Sequence, residues 1–405
     1  MSKLYHTAII GGGAAGLMTA VELLLCDNKL NGKDIIIIEK NDRVGKKLIA
    51  TGNGQGNLTN ANFGEEFYYG EKEFIASFIE KAKKIDIKDY LDNLGIPLYE
   101  GVDGKIYPLS RQASSVLDII RANLLANGVT EKVSSQVKSI KKQGETYQIE
   151  TINEQIKAKT VVVAVGGASA KQFGTDGSAY KLLTAFGHKC SEIYPSLVQL
   201  KTNLDNIRGL KGLKEIAKVT AIYKDKPIKS AVGDLLFTEF GVSGSAIFNI
   251  SSSIVDKDKV KLKIEFVPSL DQQEIENILK KRQKLEYLSK GEPFVGIINK
   301  RVGMAVAKSA KSLLPNDLAY ALKNFYLSVT GNLGFNYSQV TKGGILTGDI
   351  DKETMESKLS KGLYAVGEVL DIDGDCGGYN LTFAFVSGII AGRAIKSKSR
   401  EKDYE

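Results

Sequence analysis

The segment TAII at residues 7–10, followed by Gly11-Gly-Gly13-Ala-Ala-Gly16 and the apolar run LMTAVELLL, constrains this chain more than any other stretch. It reads as a buried strand, a tight turn and a helix, the setting in which G-x-G-x-x-G has physical meaning. Glycines at the turn let the backbone come close to a ligand, and the N–H groups opening the helix suit an anion such as a pyrophosphate. A second apolar strand, DIIIIEK, ends in Glu39, 23 residues after Gly16. A carboxylate there accepts both hydroxyls of an adenosine ribose, which favours FAD or NAD over NADP. The expected fold class is α/β with a Rossmann-like domain.

The next stretches decide between the two dinucleotides. After Glu39 comes NDRVGKKLIATGNGQGNLTN, read as a long loop rich in Gly, Asn and basic residues where an NAD dehydrogenase would start its next crossover helix. Such a loop suits a longer ligand lying along it, with Arg43, Lys46 and Lys47 as candidates to face phosphates. Further on, EKVSSQVKSIKKQGETYQIETINEQIKAKTVVVAVGG reads as three short strands turning near Gly144 and Asn153, then a buried strand ending at Gly166-Gly167. A β-meander crossover followed by an apolar strand and a glycine pair is the layout of FAD domains of the glutathione-reductase type. No second G-x-G-x-x-G follows a strand, so no separate nicotinamide domain is expected.

Near the other end, KGLYAVGEVLDIDGDCGGYNLTFAFVSGIIAGRAI gives an apolar strand from Leu363 to Val366, then Gly367-Glu368, a loop, and a helix starting near Gly378 to Asn380. In FAD folds the chain returns to its first domain here, and the N-terminus of this helix points at the flavin ring. Its N–H groups and positive dipole end stabilise negative charge at N1 and O2 of the reduced ring.

Composition bounds the remaining choices. The 405 residues are enough for two or three domains and a large core. Cys26, Cys190 and Cys376 with two histidines make neither a disulfide framework nor a metal site, so no metal is expected. No apolar run reaches membrane-helix length, and the first strand starts too early for a signal peptide; a cytoplasmic protein without membrane association is expected. The net charge is +8, and residues 271–330, with ten basic against six acidic residues, hold half of that excess. Within them QQEIENILKKRQKLEYL has helical periodicity.

The chain resembles the BaiN/YhiN-like flavoproteins, also known as aminoacetone-oxidase-like, over essentially its whole length. The resemblance rests on GGGAAGLMTA, GKKLIATGNGQGNLTN, GKIYPLSRQASSVLDII, VVVAVGGASAKQFGTDGSAY, YPSLVQL, FTEFGVSGSAIF and TKGGILTGDIDKETMESKLSKGLYAVGEVLDIDGDCGGYN, in that order. It implies a Rossmann-like FAD domain of glutathione-reductase type built from both chain ends, with a β-rich insert and a small helical insert. The corresponding segments are 1–190 for the first part of the FAD domain, 191–270 for the β-rich substrate domain and 271–330 for the helical insert. A return segment of the β-rich domain follows at 331–340, and the FAD domain resumes at 341–405. One departure matters: where family members often carry G-R-C-N, this chain has Gly54-Gln-Gly-Asn57. A mechanism using that thiol is not expected here, whereas Cys376 stands where many members have threonine.

Non-covalent FAD is the expected cofactor. Its candidate contacts are Gly11, Gly13, Ala14, Ala15 and Gly16 in the first turn, then Glu39, Lys40, Lys46 and Lys47. Thr51, Gly52, Asn57, Val137, Val165, Gly166 and Gly167 follow, and from the return segment Gly367, Glu368, Asp375, Gly378, Tyr379 and Asn380. A flavin performs hydride transfer itself, so few catalytic side chains are needed. Tyr379, Asn380 and Cys376 are the candidates, against the plainer readings that only the backbone of the first two matters and that Cys376 is a small inert side chain. His188 reads as a surface or cap residue and His6 as structural. Arg111 and Gln112, at the start of a helix, either meet an anionic substrate or phosphate or cap that helix. Gly174-Thr-Asp-Gly177 reads as a turn and N-cap. Three functions stay open: an NAD(P)H-linked flavin reductase acting on an unsaturated small molecule, an amine (aminoacetone-type) oxidase producing hydrogen peroxide, and a flavin-dependent ribosomal RNA dihydrouridine synthase. In the last, Lys280, Lys281, Arg282 and Lys284 would form a phosphate-facing surface.

Overall fold

The computed structural model describes residues 3–25, 31–285 and 292–401 and divides the chain into two compact units, 1–193 with 340–405 and 194–339. Cys26 and the end of the predicted helix beyond residue 285 lie outside the described residues. In the first unit β1 (Leu4–Ile10) leads through the glycine turn into α1 (Ala14–Leu24) and then β2 (Ile35–Ile38). All four isoleucines of β2 are buried, as expected for a parallel strand covered on both faces. The segment read as a long loop contains a short helix α2 (Lys46–Ile49) and a strand β3 (Thr59–Asn60). There follow β4 (Tyr68–Gly70), α3 (Lys72–Ile85), α4 (Ile87–Asn93), β5 (Leu98–Glu100), β6 (Lys105–Pro108) and α5 (Ala113–Ala126).

β7 (Thr130–Lys132) pairs with β2, and β8 (Val137–Gln143), β9 (Thr146–Thr151) and β10 (Gln155–Val163) complete the meander. The third meander strand and the buried strand, expected as separate elements, are one nine-residue strand, β10. One edge of β10 pairs with β1 from Leu4↔Lys157 to Ile10↔Val163. Its other edge is shared: Gln155 to Ala158 pair antiparallel with β9, and Val161 to Val163 pair parallel with a strand from the end of the chain. A short helix, α6 (Lys181–Thr184), closes this leg.

The second unit starts with β11 (Tyr194–Ser196) and contains a closed barrel. Its strands are β12 (Leu200–Thr202), β13 (Lys214–Tyr223), β14 (Lys226–Phe237), β15 (Gly241–Ser243), β16 (Lys261–Phe266) and β17 (Phe325–Asn332). Alternate residues such as Ala217, Val219, Leu262 and Ile264 fill it, with α7 (Ser245–Ser251) packed on the same core. Three helices interrupt it: α8 (Gln272–Gln283), opened by an Asp271/Glu274 capping box, α9 (Lys300–Ser309), and α10 (Pro315–Lys323) with Pro315 in its first turn. The helical segment therefore stops before Phe325, since residues 325–332 are a barrel strand.

The chain re-enters the first unit with β18 (Val340–Lys342), β19 (Leu363–Ala365), β20 (Ile372–Gly374) and the long helix α11 (Tyr379–Glu401). β19 is the strand beside β10, so the ends of β2, β1, β10 and β19 line one edge of the sheet. Helix α11 packs along α1 in the same direction, through glycines that admit no side chain. A Cβ at Gly388 would lie 2.4 Å from the Ala15 carbonyl oxygen, and one at Gly392 would lie 2.8 Å from Glu22 Cβ. Lys396 donates to Glu22 Oε1 at 2.6 Å in the same buried seam, where Tyr90 also reaches Glu22. This is the expected Rossmann-type α/β architecture with added strand and helical elements. Among the described residues, no helix is long and apolar enough to cross a membrane.

Candidate functional site

The candidate site lies along the C-terminal edge of the parallel strands β2, β1, β10 and β19, where ligands of open α/β sheets bind. Gly11 follows β1 with φ +104°, and a Cβ there would stand 2.3 Å from the Ala164 carbonyl oxygen. Gly16 is as tightly enclosed, 2.1 Å from the Gly11 oxygen. Between them Gly13 is the N-cap of α1, makes no side-chain cap bond and has nothing within 4 Å of a built Cβ. The helix opens at half-buried Gly13 and Ala14, with free space beside Gly13, and the first N–H groups of α1, which have no acceptor within the helix, fit a diphosphate there.

Glu39, 8% exposed, stands just past β2. Its Oε2 accepts the Gly12 N–H at 2.8 Å, and Oε1 accepts both the backbone N–H and the side-chain amide of Asn41 at 2.8 Å. Three donors thus hold the carboxylate, and of its four or so lone-pair sites one remains for a hydroxyl. Asn41, which the sequence reading passed over, also donates to the Phe173 carbonyl at 3.0 Å and ties the loop after β10 to the Glu39 corner. Not all the neighbouring cations are turned to a ligand. Lys40 pairs with Asp176 at 3.4 Å and Lys46 with Asp42 at 2.6 Å, while Arg43 is exposed. Asp176 also caps the turn at Ser178, as the Gly174–Gly177 reading expects. Val137 sits in the apolar core on β8, with three strands between it and β2 in the sheet, and Val165 is half-buried just past β10.

At the other end of the edge, Glu368 follows β19 and is held twice: Lys47 donates to its Oε2 at 2.7 Å, and the Thr341 N–H to its Oε1 at 2.9 Å. Thr341 is a second residue missed from sequence. Its hydroxyl accepts the N–H groups of Ala168 (2.8 Å) and Ser169 (3.0 Å), fixing the turn after Gly166-Gly167. Gly367 has φ +73°, and a Cβ there would meet Ala15 Cβ at 2.8 Å, so the start of α1 and the end of β19 touch through a glycine. Among the described residues the buried Tyr180 hydroxyl has no hydrogen-bond partner, and burial together with the Glu368 charge pushes its pKa up.

The N-terminus of α11 is enclosed by the loop that begins at α2. Thr51 bonds the Leu48 carbonyl at 2.7 Å, and Gly52, at φ +57°, wraps Asn57. With its amide oriented by its neighbours, Asn57 bridges the Thr59 carbonyl (3.1 Å) and the Gly378 N–H (3.3 Å). Gly378 has φ +104°, and a Cβ would come within 2.5 Å of the Thr59 oxygen. Two of the three catalytic candidates, Asn380 and Tyr379, make packing or hydrogen-bond contacts within the fold here. Asn380 clamps Gly374 through both its N–H (2.9 Å) and its carbonyl (2.8 Å). The Tyr379 ring is 4% exposed and stacks on Phe67 at 4.5 Å, and burial pushes its hydroxyl pKa up. Burial likewise raises the Cys376 thiol, so it stays protonated and weakly nucleophilic. Asp375 accepts the Tyr69 hydroxyl at 2.9 Å.

Other expectations need correction. His188 is neither at the surface nor a cap: it is 3% exposed, with Nε2 2.7 Å from the Ser357 hydroxyl. His6 lies inside β1, between Thr7 and Ser399. Neither Arg111 nor Gln112 caps α5 with its side chain. The basic cluster of α8 is divided: Lys280 pairs with Glu276 at 2.6 Å and Arg282 donates to the Val295 carbonyl at 2.6 Å, leaving Lys281 and Lys284 exposed.

Residues 5–394 match a sequence family described as HI0933-like protein Rossmann domain. The chain is 32% identical to the 3-dehydro-bile acid delta(4,6)-reductase of Clostridium scindens, over 96% of this chain and 98% of that protein. It is 26% identical to the ribosomal RNA dihydrouridine synthase of Haemophilus influenzae, over 98% and 99%. The solved 3-ketosteroid-delta4-(5alpha)-dehydrogenase of Rhodococcus jostii aligns with a TM-score of 0.51 at 12% identity, covering 97% of each chain, a likeness of fold alone.

Proposed function

The chain belongs to the HI0933-like Rossmann-domain family of FAD-dependent oxidoreductases, and from that premise we propose that it is a reductase. It would take hydride from transiently bound NADH or NADPH and reduce an unsaturated small molecule. One observation carries the cofactor. Gly388 of α11 lies against Ala15 at the start of α1, and α11 begins nine residues earlier, at Tyr379. At about 1.5 Å per residue, its N-terminus runs roughly 13 Å past that of α1. Two parallel helix N-termini beside the C-terminal edge of one sheet, stepped by that distance along the helix axis, suit a ligand with a diphosphate at one end of a ribityl chain and an electron-accepting ring at the other.

Bound FAD would supply the hydride relay between donor and substrate. The N–H groups of Ala14 to Gly16 would hold its diphosphate, and Glu39 an adenosine ribose hydroxyl. Lys47 and Glu368, a half-buried pair, would flank the ribityl segment. The N-terminus of α11, held by Asn57 and Thr59, would favour negative charge at the ring edge facing it. Burial holds the Cys376 thiol and the Tyr379 hydroxyl protonated, so neither would act as a base or nucleophile, and a proton needed by the substrate would come from such a protonated group or from solvent.

The Clostridium scindens relative, a reductase by name, supports a small unsaturated substrate. The Haemophilus influenzae relative and the net charge of +8 support a second reading, uridine in ribosomal RNA. Anaerobic mixing of the flavin-loaded protein with NADH, NADPH and aminoacetone tests the proposal. Bleaching by a nicotinamide nucleotide, followed by reoxidation with an enone substrate, is the expected result. Bleaching by the amine alone, with peroxide on admitting air, overturns it. Reoxidation only by ribosomal RNA fragments, with dihydrouridine formed, selects the second reading.

A further inference from the structure

We propose that the half-exposed face of the small sheet β3-β6-β5 is a stacking site for a nucleobase and its phosphate. The inference rests on the reading that the flavin site works with a nucleotide partner, either the reductant or an RNA strand. Strand alternation sorts the side chains: in β6, Ile106 and Pro108 are buried, whereas Lys105 and Tyr107 are half-exposed on the other face. Cross-strand pairing puts Asn60 of β3 beside Lys105 and Tyr99 of β5 beside Tyr107. One face therefore carries Asn60, Lys105, Tyr107 and Tyr99 in order.

The outer end of this row is already an aromatic stack. The Tyr99 and Tyr107 rings lie 5.9 Å apart at 26°, and the Arg111 guanidinium lies over Tyr99 at 4.7 Å from its centroid. Arg111 is exposed, and among the described residues no carboxylate pairs with it. It also has φ +51° in a turn closed by its N–H to the Pro108 carbonyl at 2.8 Å. Tyrosine faces with an arginine plane take bases by stacking, and the guanidinium can meet a phosphate.

The inner end of the row meets the flavin-facing loop. Asn60 donates to the Gly377 carbonyl at 3.0 Å, and Lys105 acts on the Cys376 thiol, drawing its pKa down against burial. From strand spacing and rise, Arg111 stands on the order of 15 Å from Gly377. A base stacked at Tyr99 would leave the rest of a dinucleotide, or the next nucleotides of a strand, able to reach the ring end of the site. A nicotinamide dinucleotide and single-stranded RNA share this chemistry.

The flavin-loaded protein and its Tyr99→Leu, Tyr99→Phe and Arg111→Gln variants test the proposal. AMP and UMP binding is read by calorimetry, NADH and NADPH by the concentration dependence of anaerobic flavin bleaching, and a single-stranded RNA oligonucleotide by anisotropy. Tyr99→Leu and Arg111→Gln should weaken mononucleotide binding about tenfold or more, while Tyr99→Phe, which keeps the ring, binds as the parent. Arg111→Gln should keep its flavin content and melting temperature. The same loss with the dinucleotides names the reductant as the occupant, and with the oligonucleotide names RNA. Parent bleaching by NADH or NADPH, with mononucleotide, dinucleotide and oligonucleotide constants all unchanged in both variants, overturns the stack and leaves the reductase standing. No bleaching by either dinucleotide, with the RNA arm responding, overturns the donor and keeps the stack. A parent that binds no nucleotide overturns both.

Discussion

Glu39 is held by Gly12 and Asn41 before any ligand arrives, so its carboxylate is part of the fold as well as of the proposed ribose contact. Glu39→Ala should therefore have two effects. FAD binding should weaken by about 1.5–3 kcal/mol through loss of charge-assisted bonds. The apoprotein should also lose about 1–3 kcal/mol, because the buried Gly12 N–H and the half-buried Asn41 N–H lose their acceptor. Flavin titration and melting of the apoprotein measure the two separately; unchanged FAD affinity would place the ribose elsewhere. His188 gives a pH dependence. Burial holds its pKa below the ordinary value near 6.5, so the unfolded chain binds its proton more readily than the folded one. The stability from keeping it neutral is fully present above about pH 6.5 and is lost as pH falls below that, at no more than about 1.4 kcal/mol per unit. Chemical denaturation at pH 8, 7, 6 and 5 should show this decline, and His188→Gln should flatten it.

Helices α1 and α11 show what was legible and what was not. A strand, a glycine turn and an apolar helix are a local pattern, so β1, the turn and α1, with Glu39 after β2, could be read from periodicity and spacing. The return strand and the start of α11 near Gly378 were legible for the same reason. Partners across the fold were not. Thr341 bonds Ala168 from 173 residues away and Lys47 meets Glu368 from 321, and no local pattern marks either pair. Asn380 and Tyr379 drew a catalytic reading from their place at a helix start. Only the fold shows that one clamps Gly374 and the other is packed on Phe67. The contact of the two helices gives a prediction at this scale. Gly388→Val would push branched methyls into the Ala15 carbonyl, already 2.4 Å from a built Cβ. It should cost about 1–3 kcal/mol by overpacking and lower flavin occupancy, since α11 can relieve the clash only by shifting its N-terminus. Retained flavin content and melting temperature would show that the seam is looser than described.

The two units have separate apolar cores, and only the second is continuous in sequence. A fragment spanning residues 194–339 should therefore unfold cooperatively by circular dichroism and bind no FAD. Added FAD should raise only one of two transitions in the whole protein, by about 2.7 kcal/mol at one hundred times its dissociation constant. A fragment without a cooperative transition would show that its barrel needs the rest of the chain. Denaturing the purified yellow protein should release intact FAD; recovery of FMN, or of flavin attached to peptide, would refute non-covalent FAD. The shared edge of β10 also has a consequence during translation. Val161 to Val163 leave the ribosome about two hundred residues ahead of Leu363 to Ala365, the strand that covers them. At about 5–20 residues per second the nascent chain carries that apolar edge unpaired for roughly 10–40 s. The second unit, completed meanwhile, can fold in the interval, while α11 emerges after both. The polypeptide can thus enclose its coenzyme only once α11 has left the ribosome, and until then its need is for a chaperone at that edge.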